Sequence, residues 1–157
     1  YDYKVSEVSA TMEGVYNYDA RIDVLWPFGY GLSYTTFQYS NLGADKKEFG
    51  PDDVLEFEVT VSNTGNVAGK EAVLLYSSDL FASLVPDSRR LRAFEKISLE
   101  PGESKVVRLA VPATDLAFVN YDGKWTLEEG DFRIQVGDQV TMVHCNTTKV
   151  WDEPNID

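Results

Sequence analysis

The chain has 157 residues, 43% hydrophobic and 13% aromatic, which fits one globular domain able to bury a core without disulfides or metals. Its 26 acidic and 14 basic residues leave a net charge of −12, which sets it against nucleic acid and anionic membrane surfaces as partners. No apolar run approaches the length of a membrane span, and Cys145, the single cysteine, excludes an internal disulfide.

Residues 1–25 are polar and mixed, with Tyr1, Tyr3, Tyr16 and Tyr18 spread along them and no helical or strand period. With neither an initiator Met nor a signal pattern at Tyr1-Asp2-Tyr3-Lys4, this segment reads as an extended link from a preceding domain. Its tyrosines suit a segment lying on something apolar. The pattern switches at Trp26-Pro27, where Pro27 pushes Trp26 into an extended conformation. Gly29 and Gly31 then permit tight bends between aromatics that can wedge into apolar pockets.

After residue 35 the period is two. A first strand is expected over residues 34–42. Leu55, Phe57, Val59 and Val61 alternate with Glu56, Glu58, Thr60 and Ser62, the pattern of a strand with one wet face. Asn63-Thr64-Gly65-Asn66 supplies a turn. Residues 72–76 are apolar on both faces and predict a central strand, and residues 79–90, broken by Pro86, predict a longer loop. Further strands are predicted over 91–99, ended by Pro101-Gly102, and over 107–111, followed by one helical turn at Thr114-Asp115-Leu116. Phe132, Ile134 and Val136 mark another strand, and residues 140–150 a last one. Residues 151–157 have no strand period and read as a tail. About seven short strands with Gly, Pro, Asn and Asp turns between them predict an all-β, immunoglobulin-like sandwich over residues 26–150, preceded by an N-terminal extended segment.

Material for catalysis is sparse. Glu128, Glu129 and Asp131 crowd around Gly130, and Asp52-Asp53 follow Pro51. A glycosidase needs two carboxylates at a fixed separation across a cleft, whereas turns favour Asp and Gly for backbone reasons alone, and these positions read as turns. Ser33 lacks the Gly-x-Ser-x-Gly elbow, since Thr35 stands where the second Gly belongs. Gly29-Tyr30-Gly31 is no phosphate loop, because the longer glycine pattern fails at Tyr34. His144 is the only histidine, which leaves little for a metal site or a Ser-His triad. Cys145 lies in a strand pattern and reads as a small buried hydrophobe. Asn146-Thr147-Thr148 matches a glycosylation acceptor, a triplet that also arises by chance. Trp26 and Trp125 read as core or interface residues, while Trp151 is the best candidate for exposure. No catalytic residue, cofactor or metal site is expected.

One run is the most specific: Trp26-Pro27-Phe28-Gly29-Tyr30-Gly31-Leu32-Ser33-Tyr34-Thr35-Thr36-Phe37. It resembles the start of the C-terminal fibronectin type III-like domain of glycoside hydrolase family 3, the β-glucosidase and β-xylosidase family. Val59-Thr60-Val61-Ser62-Asn63-Thr64-Gly65 with Ala68-Gly69-Lys70-Glu71, then Leu91-Arg92-Ala93-Phe94-Glu95-Lys96-Ile97 with Leu99-Glu100-Pro101-Gly102-Glu103, follow in that family's order. Asp115-Leu116, Gly123-Lys124-Trp125 and Gly130-Asp131-Phe132 complete the series. Ala93 stands where members often have Gly, and Trp26 where they often have Phe or Tyr; residues 142–157 match no pattern of the family. The resemblance implies that the nucleophile and the acid/base carboxylate lie on other domains of a larger enzyme, which would be periplasmic or secreted. It implies a non-catalytic accessory domain whose partners are the catalytic domains of its own chain. Trp26, Pro27, Phe28, Gly29, Tyr30, Gly31, Leu32, Ser33 and Tyr34 are the expected interdomain contact, and the isolated domain should show an apolar patch. The alternatives are a carbohydrate-binding module, which needs a row of exposed aromatics and oligosaccharide as partner, and a general adhesion or spacer module.

Overall fold

The structure is a computed structural model that describes residues 31, 33–80, 82–83 and 89–152. Among the described residues eleven strands form in chain order: β1 (Phe37–Ala44), β2 (Glu48–Phe49), β3 (Val54–Asn63), β4 (Gly69–Asp79), β5 (Arg90–Leu99), β6 (Ser104–Pro112), β7 (Phe118–Val119), β8 (Trp125–Leu127), β9 (Gly130–Val136), β10 (Gln139–Cys145) and β11 (Lys149–Trp151). A single 3-10 turn, Ala113–Leu116, interrupts them at the predicted place. Seven strands have seven residues or more and the other four have two or three, so the long strands match the expected seven.

A three-stranded sheet in the order β1-β3-β6 faces a five-stranded sheet in the order β2-β10-β9-β4-β5, and β11-β8-β7 form a small third sheet. Every pair is antiparallel except β2 with β10. Alternation along each long strand supplies the core. Leu55, Phe57, Val59 and Val61 of β3 meet Val107, Leu109 and Val111 of β6, while Val73 and Leu75 of β4 and Phe132, Ile134 and Val136 of β9 come from the opposite sheet. Burying these branched and aromatic side chains, each worth about 1.5–3 kcal/mol, is what holds the two layers together. The fold is an all-β sandwich, as the alternation predicts.

Three local differences have physical causes. The strand expected over residues 140–150 divides at Asn146, where the Asn146 N–H donates to the Phe49 carbonyl (3.0 Å) and the chain turns away. Its first part, β10, stays in the large sheet, and its second, β11, pairs with β8. That strand carries the fold through Trp151, the first residue of the expected tail. At the other end, β1 begins at Phe37 rather than residue 34, because Tyr34 and Thr35 form a bend. Finally, β5 has a bulge: Leu75 pairs with Ala93 but Tyr76 pairs with Leu91, leaving Arg92 as the extra residue.

Two turns require glycine. Gly137 opens the two-residue loop between β9 and β10 at φ +58°, a left-handed conformation that glycine adopts without strain. A Cβ there would also stand 2.8 Å from the Tyr39 ring. At Gly65 a Cβ would fall within 2.2 Å of the Thr35 hydroxyl and 2.9 Å of the Thr36 nitrogen, so the 64–68 turn can close on the segment leading into β1 only through glycine.

Candidate functional site

Of the run expected to contact other domains, Trp26, Pro27, Phe28, Gly29, Tyr30 and Leu32 lie outside the described residues. Gly31, Ser33 and Tyr34 are described and exposed, Tyr34 at 99% of its full accessibility. The chain leaving this run is clamped. The Thr35 hydroxyl donates to Asn63 Oδ1 (2.6 Å), and the Thr64 N–H donates to the Thr36 carbonyl (2.8 Å). Asn63 is buried with its whole amide engaged: its Nδ2 donates to the carbonyls of Val67 (2.8 Å) and Leu99 (3.1 Å), and its Oδ1 also accepts from the Gly65 N–H. A buried amide satisfied this fully fixes the geometry of the turn that holds the run. The exposed Tyr34 is therefore presented on a fixed base.

The residues with chemical potential serve the framework. Ser33 Oγ accepts from the Thr35 N–H at 3.3 Å. Asp53 accepts from the Gly50 N–H and from the Lys46 ammonium, contacts that hold its carboxyl below the usual carboxylate range. Asp52 pairs with Lys149, and Glu128 accepts from the Ser83 N–H at 2.8 Å. His144 Nδ1 lies 2.7 Å from Asp131 Oδ1 on the outer side of the five-stranded sheet, away from Ser33 at the start of the other. Cys145 is fully buried, as expected, and burial pushes its thiol pKa up. Among the described residues no three His, Cys, Asp or Glu side chains gather as a metal site would require.

Exposure of the aromatics differs from expectation at one point. Trp151 is half-buried and packs against the core beside Trp125, its register partner across β11 and β8. Pairing with β8 is the cause, since it draws the end of the chain onto the domain. The exposed aromatics among the described residues are Tyr34, Phe94 and Tyr121.

The outer faces of the two sheets differ in kind. On the three-stranded sheet, the outward residues of β3 after Val54 are Glu56, Glu58, Thr60 and Ser62, opposite Ala110, Arg108, Val106 and Ser104 of β6. Arg108 pairs with Glu58 there, and Val54 and Val106 are its exposed large apolar side chains. On the five-stranded sheet, the outward row runs Val140, Gln135, Tyr76 and Leu91 across β10, β9, β4 and β5, with Met142 beside Arg133 and Leu74 beside Phe94. Phe94 is 70% exposed, Met142 40% and Val140 45%. Residues 72–76 do lie on an interior strand of this sheet, paired with β5 along their length and with β9 from Leu75 on, but their second apolar side faces outward. Leu74 and Tyr76 are only half-buried. An antiparallel sheet with a solvated face ordinarily carries polar residues on it, as β3 does. Sequence reading found the apolar pattern of this strand but not what its second face would meet.

Comparison with known proteins adds the family. Residues 71–140 match the model of the fibronectin type III-like domain. The thermostable β-glucosidase B of Acetivibrio thermocellus is 38% identical over 138 residues, a match that covers 87% of this chain and 18% of that protein. A putative β-xylosidase of Formosa agariphila is 42% identical over 113 residues, covering 72% of this chain and 15% of that protein. Among solved structures, a β-glucosidase from Erythrobacter marinus superposes with a TM-score of 0.78 at 33% identity, covering 91% of this chain and 19% of that one. The chain thus spans less than a fifth of the length of each of these three proteins.

Proposed function

Because the chain belongs to the fibronectin type III-like domains of family 3 glycoside hydrolases and is a non-catalytic accessory module of that family, we propose that it packs on and stabilises the catalytic domains of one longer chain. That chain would be a retaining hydrolase of β-linked glucosides or xylosides. Residues 1–25 would be the link from the preceding domain, and the run from Trp26 to Tyr34 would make contact on the way in. The observation that carries this reading is the match over 87% of this chain to only 18% of a β-glucosidase.

Supporting details come from the geometry. Tyr34 stands exposed on a clamped base, as a side chain that inserts into a neighbour would. Trp125 and Trp151 are spent on the core, so the described residues present no row of exposed aromatics of the kind that stacks on sugar rings. Accessory packing is therefore favoured over oligosaccharide binding. Relatives named as a periplasmic β-glucosidase of Salmonella typhimurium and a lysosomal β-glucosidase of Dictyostelium discoideum support a site outside the cytosol, periplasmic or secreted. No helix among the described residues is long and apolar enough to cross a membrane.

The test replaces the corresponding segment of the Acetivibrio thermocellus enzyme with this chain. Hydrolysis of nitrophenyl β-glucoside and a melting temperature near the parent's are expected from the chimera, and neither from the enzyme lacking the segment. The isolated chain should hydrolyse neither nitrophenyl β-glucoside nor β-xyloside and should give no heat with cello- or xylo-oligosaccharides. Binding without turnover would transfer the assignment to a carbohydrate-binding module, and turnover would overturn it altogether.

A further inference from the structure

Resting on the accessory reading, we infer that the domain docks through the outer face of its five-stranded sheet, and that the occupant is an apolar, carboxylate-bearing polypeptide surface on the rest of the longer chain. The first ground is the contrast between the two outer faces. One is built mainly from Glu, Ser, Thr and Arg around Val54 and Val106, while the other carries Leu74, Tyr76, Leu91 and Phe94 side by side on β4 and β5, with Val140 and Met142 of β10 beyond Gln135 and Arg133 of β9. A contiguous apolar patch rimmed by polar residues marks an interaction surface, whereas scattered exposed apolar side chains do not.

The second ground is charge. The chain as a whole carries −12, yet this face is lined by cations. Arg133 lies between Met142 and Ser78, Lys96 lies opposite Ala72, and the Arg89 guanidinium sits 4.9 Å from the centre of the Tyr76 ring. Stacking on Tyr76 holds that guanidinium on the face with its fork of donors free to meet a carboxylate. Asp131, a carboxylate on the same face, is already engaged by His144, and Glu48 lies at the far edge beyond it. A second copy of the chain would bring like cations together across a two-fold axis and add the mutual repulsion of two acidic molecules. Nucleic acid is disfavoured by the same net charge.

The third ground is what adjoins such a domain. In the β-glucosidase relative more than four-fifths of the chain lies outside the matched segment, so a partner surface is covalently at hand. Contacts between domains of one chain bury roughly 600–1,500 Å², on the scale of a patch spanning four strands.

Two experiments test this. In the chimera described above, peroxide oxidation of Met142 and hydroxyl-radical labelling of Phe94 should be several-fold slower than in the isolated chain, while labelling of Val54 and Val106 stays unchanged. Protection of Val54 and Val106 with Met142 and Phe94 left open would overturn the assignment of the face and leave the accessory reading intact. Protection nowhere in the chain would sink both. Independently of chimera folding, bis-ANS, an aromatic dye carrying sulfonates, reproduces the proposed chemistry of the occupant. The isolated chain should bind it, Phe94→Glu and Arg133→Glu should each weaken that binding several-fold, and Val106→Glu should not. Dye binding indifferent to Phe94→Glu, or protection of Met142 that grows with the concentration of the isolated chain, would overturn the proposal.

Discussion

The Tyr39 hydroxyl donates a 2.7 Å hydrogen bond to Glu71 Oε1, joining β1 of one sheet to β4 of the other. Burial first, and the Glu71 carboxylate second, disfavour the phenolate and push the Tyr39 pKa far above its ordinary value. The folded chain therefore holds this proton more tightly than the unfolded chain does. The resulting stabilisation is complete below about pH 10, where an unfolded phenol begins to ionise, and is lost as pH rises from there toward the folded value. Tyr39→Phe should lower stability by about 1 kcal/mol at neutral pH and flatten the decline above about pH 10. Urea unfolding at a series of pH values checks both; an unchanged alkaline decline in the variant would show that another group is responsible.

The Tyr39 ring also lies over Gly137, which makes that glycine doubly constrained. Gly137→Ala meets both a positive φ and an aromatic ring at 2.8 Å, whereas Gly102→Ala meets a φ of +79° in open space. The second change should cost about 1 kcal/mol from backbone strain alone, and the first about 2–3 kcal/mol. Paired thermal melts of the two variants measure the difference, and equal losses would mean that the ring moves aside freely.

Asn63→Ala would strip partners from the Thr35 hydroxyl, the Gly65 N–H and the carbonyls of Val67 and Leu99. A loss of about 3 kcal/mol is expected, with faster amide exchange at the Thr64 N–H, which bonds the Thr36 carbonyl. Thr35→Val removes one of those bonds and should cost about 1 kcal/mol, with exchange rising locally while the melting transition stays cooperative. Hydrogen exchange read by mass spectrometry separates the two.

Cys145 combines full burial with a thiol pKa pushed up by that burial, and its Sγ faces the Thr147 carbonyl at 3.4 Å. Little thiolate is present at neutral pH, so Ellman's reagent should react with the unfolded chain and leave the folded one nearly untouched. Rapid reaction without denaturant would show that the β10–β11 turn opens readily.

Reading the chain by its period of two located the long strands because each has one face in the core. Leu55 to Val61 shows this most clearly, with every apolar residue buried and every charge outward. The short strands leave no such trace. β2 exists because Phe49 enters the core 5.9 Å from the Phe132 ring, and because the Lys47 and Phe49 carbonyls accept from the His144 and Asn146 N–H groups. These contacts are made across nearly a hundred residues, and nothing in Glu48-Phe49 announces them. The docking face was partly hidden for a different reason. Simple alternation puts Leu91 and Phe94 on opposite sides of a strand, but the extra residue Arg92 changes the parity and places both outward. Of the predicted contact run, only Gly31, Ser33 and Tyr34 fall within the described residues, all of them exposed.

The same bulge bears on self-assembly. β5 is the outermost strand of its sheet and ten residues long, a length at which an unpaired edge invites a foreign strand to zip alongside. Arg92 interrupts that edge at its third residue, its guanidinium drawn inward to the Ser77 hydroxyl and the Asp115 carbonyl. A ladder along the whole of β5 is broken there, which shortens the regular edge open to amyloid-like or domain-swapped growth to Ala93–Leu99.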